Sequence, residues 1–248
     1  MWPDIVELND FYDSSLGLVA RRMIRRRLRE LWPDVHSMSV LGLGYAMPYL
    51  RPFRSEAARV LAVMPSDMGI LHWPPEGPNL SCVSNEAELP LPDLCMDRVL
   101  LVHGLECTEQ MRALLRETWR IMSDSGRLLV VTPNRRSVWA RADHTPFGHG
   151  HPYSLEQLRR VLREAMFTPV RTARALYVPP SRRRFLLAAA PAWEKIGRRW
   201  FQPLGGATMI EASKQIYAGM IARRGAHTNA PIRAVIRGTR PRVITGVI

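Results

Sequence analysis

A chain of 248 residues, 46% hydrophobic and 23% charged, is long enough for one sizeable α/β domain and too apolar to be disordered throughout. Its formal net charge of +13 rests on arginine, since only Lys195 and Lys214 among the 35 basic residues are lysines. No apolar run approaches the roughly 18 residues of a membrane span; the longest is FLLAAAPAW at 185–193.

Asp4, Glu7, Asp10 and Asp13 precede any basic cluster, so this stretch is expected to be neither a signal nor a transit peptide. Cys82, Cys95 and Cys107 are odd in number and lack C-x-x-C spacing, so a reduced, cytoplasmic setting is expected. Residues 1–34 balance six arginines against six acids, while residues 221–248 hold six arginines and no acid. Arginine forks suit phosphate and carboxylate. Aromatic residues are not interleaved with them as a stacking platform requires, so nucleic acid is not the expected partner.

SSLGLVARRMIRRRLRELW (14–32) reads as an amphipathic helix capped by Ser14 or Ser15. Leu16, Val19, Ala20, Met23, Ile24, Leu28 and Leu31 form its apolar stripe, and Arg21, Arg22, Arg25, Arg26 and Arg29 a solvated face. SMSVLGL is then a first buried strand, followed by a helix beginning near Pro48. Further strands are expected at 58–64, 80–84, 96–105 and 126–134, with a helix at 107–122 that SDSG (123–126) ends in a glycine turn. A helix at 154–167 opens with the capping-box pair Ser154 and Gln157. Two last strands, 169–178 and 206–218, are joined by an apolar helical insertion at 181–201.

Strands alternating with helices predict a doubly wound, mostly parallel seven-stranded sheet, the late strands making an antiparallel edge. The expected divisions are an N-terminal helical segment (1–37), the main domain (38–220) and a flexible basic tail (221–248). In such a sheet ligands sit beyond the carboxyl ends of the strands. The segments to inspect are therefore 42–48, 63–66, 84–90 and 102–107. At the first, Gly42 and Gly44 let the chain turn tightly and approach a ligand.

NEAELPLPDLCMDRVLLVHGLE (85–106) adds an acidic loop, a Leu-Pro-Leu-Pro turn and an acid before a buried strand. With LLRETWRIMSDSGRLLVVTPN (114–134), it resembles the type 11 kind of class I S-adenosylmethionine-dependent methyltransferase. The resemblance covers about residues 38–218 and implies the Rossmann-like methyltransferase fold and S-adenosylmethionine as cofactor. It places the cofactor against Gly42, Gly44, Ala46, Met64, Asn85, Glu86 and His103.

Several of these positions depart from the family pattern. Ala46 and Pro48 replace glycines, Met64 stands where an acid grips the ribose hydroxyls, Asn85 replaces the aspartate at the adenine amine, and Cys107 follows Glu106. Losing a carboxylate–diol contact removes charge-assisted bonds of about 1.5–3 kcal/mol each, roughly ten- to hundredfold in affinity per bond.

The sequence identifies no catalytic residue. His103, His149 and His151 are the imidazoles within reach of an acceptor. The histidine cluster DHTPFGHGHPYS (143–154) suits a lid or acceptor site better than a metal, and no metal is expected. The resemblance implies that Phe11 and Tyr12 close over the cofactor's far end; the alternative is that they simply pack against the sheet. The acceptor, small molecule or protein, is not specified. The 181–201 segment covers the active site or offers a surface for a partner, for self-association or for a membrane interface. The expected function is methyl transfer from S-adenosylmethionine; the alternative is a fold-retaining binding or scaffold protein that has lost the reaction.

Overall fold

The computed structural model describes residues 3–216; the expected tail at 221–248 lies outside the described residues. Asp4 accepts a hydrogen bond from Val6 N (2.7 Å) and caps a first helix, α1 (Ile5–Asp13), ahead of the helix expected at 14–32. Ser14 then caps α2 (Ser15–Leu31) as expected, accepting from Gly17 N at 3.1 Å.

The strands are β1 (Ser39–Gly44), β2 (Arg59–Pro65), β3 (Ser81–Ser84), β4 (Met96–Val102), β5 (Met122–Pro133), β6 (Phe167–Ala175) and β7 (Ala207–Lys214). They form one seven-stranded sheet in the order β3-β2-β1-β4-β5-β7-β6. β1 to β5 are parallel neighbours, and β7 pairs antiparallel with both β5 and β6. The two late strands thus make the expected antiparallel edge, with β7 inside β6. The strand order reverses between β1 and β4, the switch point where this architecture places ligands.

Side chains alternate along the central strands with the period of two that a sheet imposes. Val40, Leu100, Val102, Leu129 and Val131 join the core beneath α1 and α2, with Leu16, Ile24 and Leu28. Leu41, Leu43, Val99, Leu101, Leu128 and Val130 join the opposite core, built with α4 (Met111–Ile121) and α5 (Leu155–Glu164). The capping box of α5 forms in both directions, Gln157 N to Ser154 Oγ at 3.2 Å and Ser154 N to Gln157 Oε1 at 2.9 Å. Trp32 Nε1 donates to the buried Glu211 Oε1 on β7 (3.1 Å), pinning the end of α2 to the sheet.

Two expected elements differ. No left-handed glycine turn ends α4: Met122 is already extended and pairs with Met96, so β5 starts there, and Ser123 Oγ donates to Asp97 Oδ1 at 3.0 Å. The 181–201 segment is two helices, α6 (Arg184–Ala188) and α7 (Ala190–Trp200), because Pro191 lacks the amide that would continue the first helix and fits the first turn of a second. Between the strands lie short α3 (Met47–Leu50) and several single turns. Among the described residues no helix is long and apolar enough to cross a membrane.

Leu28 is fully buried in the α2-side core, whereas Arg22 is exposed. Leu28→Ala will cost about 2–5 kcal/mol in denaturant unfolding, and Arg22→Ala will stay within about 0.5 kcal/mol of wild type.

Candidate functional site

The β1 end is built by close packing. Gly44 has φ +70°, and a Cβ there would lie 2.4 Å from the Val102 carbonyl oxygen, which also accepts from Tyr45 N at 2.9 Å. A Cβ on Gly42 would meet Leu50 Cδ1 at 2.6 Å and Ala46 Cβ at 2.7 Å. Both glycines are therefore required by the contacts of β1 with β4 and α3, before any ligand is considered.

Ala46 is fully buried, and so is Met64, whose thioether joins the α1/α2-side core with Met68 and Trp73. Asn85 is exposed and closes a local turn, its Oδ1 accepting from Ala87 N at 2.9 Å. Its neighbour Glu86 is buried instead: one carboxylate oxygen takes the Thr108 hydroxyl, and the other, Oε2, has no hydrogen-bond partner. Burial holds this carboxyl above its usual range, the Thr108 hydroxyl and the nearby Gln110 backbone amide oppose the rise, and Asp67 and Glu109 add to it. Glu86 lines a cavity of ≈ 10 Å³ at the strand ends with Gly44, Pro65, Ser84 and Leu101.

His103 follows β4 at φ +48° and is buried. Its Nδ1 lies 3.2 Å from Glu106 Oε1 and its Nε2 2.7 Å from the Tyr12 hydroxyl, to which the Tyr49 hydroxyl donates at 2.9 Å. A carboxylate only accepts, so in the neutral imidazole Nδ1 carries the proton and Nε2 accepts from Tyr12. The donors then run in one direction, Tyr49 to Tyr12 to His103 to Glu106. Burial pushes the Tyr12, Tyr45 and Tyr49 phenols up, which keeps them as neutral hydroxyls. Tyr12 also stacks on Tyr45 (5.4 Å between ring centres), and Phe147 meets the His103 ring edge-on at 5.0 Å.

The structure thus brings Gly44 and Glu86 to one cavity and sends His103 into a separate buried chain; Asn85 and Met64 point elsewhere. Tyr12 is part of the protein's own packing rather than a cover poised over a cleft. Tyr49 and Thr108 were not singled out by sequence reasoning, and neither is marked by spacing or composition. In the 143–154 loop, His144 Nε2 bonds Pro180 O (3.1 Å) and His149 Nε2 bonds Asp143 O (2.9 Å); among the described residues no three metal-ligating groups converge. His151 N donates to Glu106 O at 2.8 Å, which seats the loop on the β4 end. The α6–α7 surface exposes Phe185, Ile196, Trp200 and Phe201 beside Arg182, Arg183, Arg184 and Arg199.

Residues 41–130 match the methyltransferase domain family model. A probable S-adenosylmethionine-dependent methyltransferase of Mycobacterium tuberculosis is 32% identical over 117 residues, 46% of this chain and 42% of that one. The chain thus spans less than half the length of this curated relative. A methyltransferase of Archaeoglobus fulgidus aligns with TM-score 0.54 at 22% identity, over 78% of this chain and 94% of that one. One of Aquifex aeolicus aligns with TM-score 0.58 at 16% identity, over 84% and 97%. A Haloferax volcanii chain, solved in complex with the Trm112 methyltransferase activator, aligns with TM-score 0.61 at 15% identity, over 84% and 93%.

The cofactor to which these matches point is S-adenosylmethionine. The unpartnered Glu86 oxygen and the Gly44 turn fit such a ligand, and the buried Met64 does not. A cavity of ≈ 10 Å³ is far below the ~300–1,000 Å³ of small-molecule sites, so the closed arrangement does not hold it.

Tyr12→Phe will leave His103 Nε2 and the Tyr49 hydroxyl without their partner in a dry site, costing about 1–3 kcal/mol in denaturant unfolding. Tyr49→Phe removes only the terminal donor and will cost less.

Proposed function

We propose that this chain, whose residues 41–130 match a methyltransferase domain, is a class I S-adenosylmethionine-dependent methyltransferase that binds S-adenosylmethionine beyond the ends of β1, β2 and β3 and transfers its methyl group to an acceptor. The observation that carries the reading is Glu86: a buried carboxylate oxygen with no partner, at the switch-point end of this fold. When bound, S-adenosylmethionine supplies an electrophilic methyl on sulfur. Glu86 is the group that would accept hydrogen bonds from the adenosine part, and the Gly44 turn lets the backbone come close. Seating the cofactor requires the 85–91 loop and the side chains of Leu89 and Leu114, which bound the small cavity, to withdraw from the strand ends.

A second reading, a binding protein that keeps the fold without the reaction, is favoured by Met64 at the β2 end and by the exposed aromatic α6–α7 surface, suited to a protein partner or a second copy.

Calorimetric titration of the full chain with S-adenosylmethionine and S-adenosylhomocysteine decides between the two. Micromolar binding, weakened about tenfold by Glu86→Gln, is the expected result. No heat up to millimolar ligand from a folded sample would leave only the second reading.

Glu86→Gln also has a predicted stability signature. Because the folded-state carboxyl is raised, its charge costs stability as pH rises through the folded value. The variant will therefore unfold at a higher temperature than wild type at pH 7, and the difference will shrink as the pH is lowered through that value. Higher stability with weaker cofactor binding is the pattern of a functional acid; a variant that loses stability at pH 7 would assign Glu86 a structural role.

A further inference from the structure

A second cavity, of ≈ 390 Å³, opens on the outer side of the stacked Tyr12 and Tyr45 rings, within the size range of small-molecule sites. Its basic lining comes from three elements: Arg21 and Arg25 of α2, Arg51 just after α3, and His72 beside Trp73 in the segment after β2. The acids facing it are Asp13, which accepts from Asn9 Nδ2 at 3.1 Å, and Glu76, which meets Arg51 at 3.3 Å on the exposed rim.

Helix geometry sorts the arginines of α2. Residues four apart share a face, so Arg21 and Arg25 point together into the cavity. Arg21 is half-buried and Arg25, at the mouth, is exposed; Arg22 and Arg26, one position on, are exposed and do not line the cavity. Arg26 and Arg27 pair with Glu30, and Arg29 with Glu56. Arg21 and Arg25 have no ion-pair partner within 4.0 Å among the described residues, although the positive charge of Arg21 acts on the Tyr45 and Tyr49 phenols at the cavity wall. Two guanidinium forks without carboxylate partners, a third arginine held by Glu76, and a lining of Tyr45, Met47 and Trp73 make a seat for acidic oxygens with a flat or apolar body beside them.

We propose that this cavity binds a small molecule carrying at least two negative charges, on phosphate or carboxylate groups, with Arg21 and Arg25 as its principal contacts and Arg51 as the third. The site is separate from the strand-end cavity at Glu86, so it stands whether or not S-adenosylmethionine binds there.

The test is calorimetric titration of the full chain with inorganic pyrophosphate and, separately, with citrate; the arm that binds more tightly identifies the phosphate or the carboxylate source. Saturable one-to-one binding is expected in at least one arm. It should weaken about tenfold or more in Arg21→Gln/Arg25→Gln, and by less than about twofold in Arg22→Gln/Arg26→Gln, which removes the same charge from the solvated face. Matching thermal unfolding of the two variants checks that both are folded. Equal losses in both variants would mean attraction to the net charge alone and would overturn the proposal, as would no saturable binding of either probe up to about 10 mM, far above the range of a specific site.

Discussion

The carboxyl end of the sheet is organised around the hydrogen bond between the Tyr12 hydroxyl and His103 Nε2, 2.7 Å long and buried at both ends. It joins residues 91 apart in sequence, one on the first helix and one just past the central strand β4. A nine-residue helix such as α1 is not stable alone in water, so its helicity follows from docking. What docks it is apolar burial of Ile5 and Leu8 together with a polar chain in which Tyr49, Tyr12, His103 and Glu106 each find a partner. A buried chain of this kind is strong when complete and costly when interrupted, because no water replaces a missing partner. With α1 fixed, the Tyr12 ring stacks on Tyr45, and that pair walls off the arginine-lined cavity on its outer side.

At the strand ends the demands of folding and of binding overlap, and the structure separates them. Gly42 and Gly44 look like a ligand cradle, yet the Val102 carbonyl, Leu50 and Ala46 already account for the missing side chains. Glycine at these positions is thus compatible with a cofactor and is not a mark of one. Glu86 is different. One of its carboxylate oxygens is buried without a hydrogen-bond partner, as is Glu106 Oε2 beyond the end of β4, and an unpaired buried oxygen costs stability that no contact within the fold offsets. Met64, by contrast, is satisfied as it stands, packed in the core under the N-terminal helices.

Much of the architecture was legible in the residues. Short continuous apolar runs at β1, β2, β4 and β5 gave the central sheet, and Ser14 and the Ser154–Gln157 pair gave the starts of α2 and α5. These signals are local: a strand alternates every two residues, a helix every three or four, and a cap acts within one turn. Where the local signal misled, a distant contact had won. SDSG resembles a helix-ending turn, but pairing of Met122 with Met96 and the bond from Ser123 to Asp97 draw it into β5. The insertion of β7 between β5 and β6 could not be read from spacing, because strand order is set by which edges pair in space.

The site was less legible for the same reason. The sequence by itself determined that acids, glycines and histidines gather at the carboxyl ends of β1, β3 and β4, because it fixes where each strand stops. It also placed five arginines opposite the apolar stripe of α2. Only the tertiary structure decided that Glu86 rather than Asn85 enters the strand-end cavity, that His103 turns to Tyr12, and that Arg21 and Arg25 line a cavity which Arg22 and Arg26 do not reach. Each of those outcomes depends on what an element remote in sequence leaves open or fills, and no local pattern of residues records that.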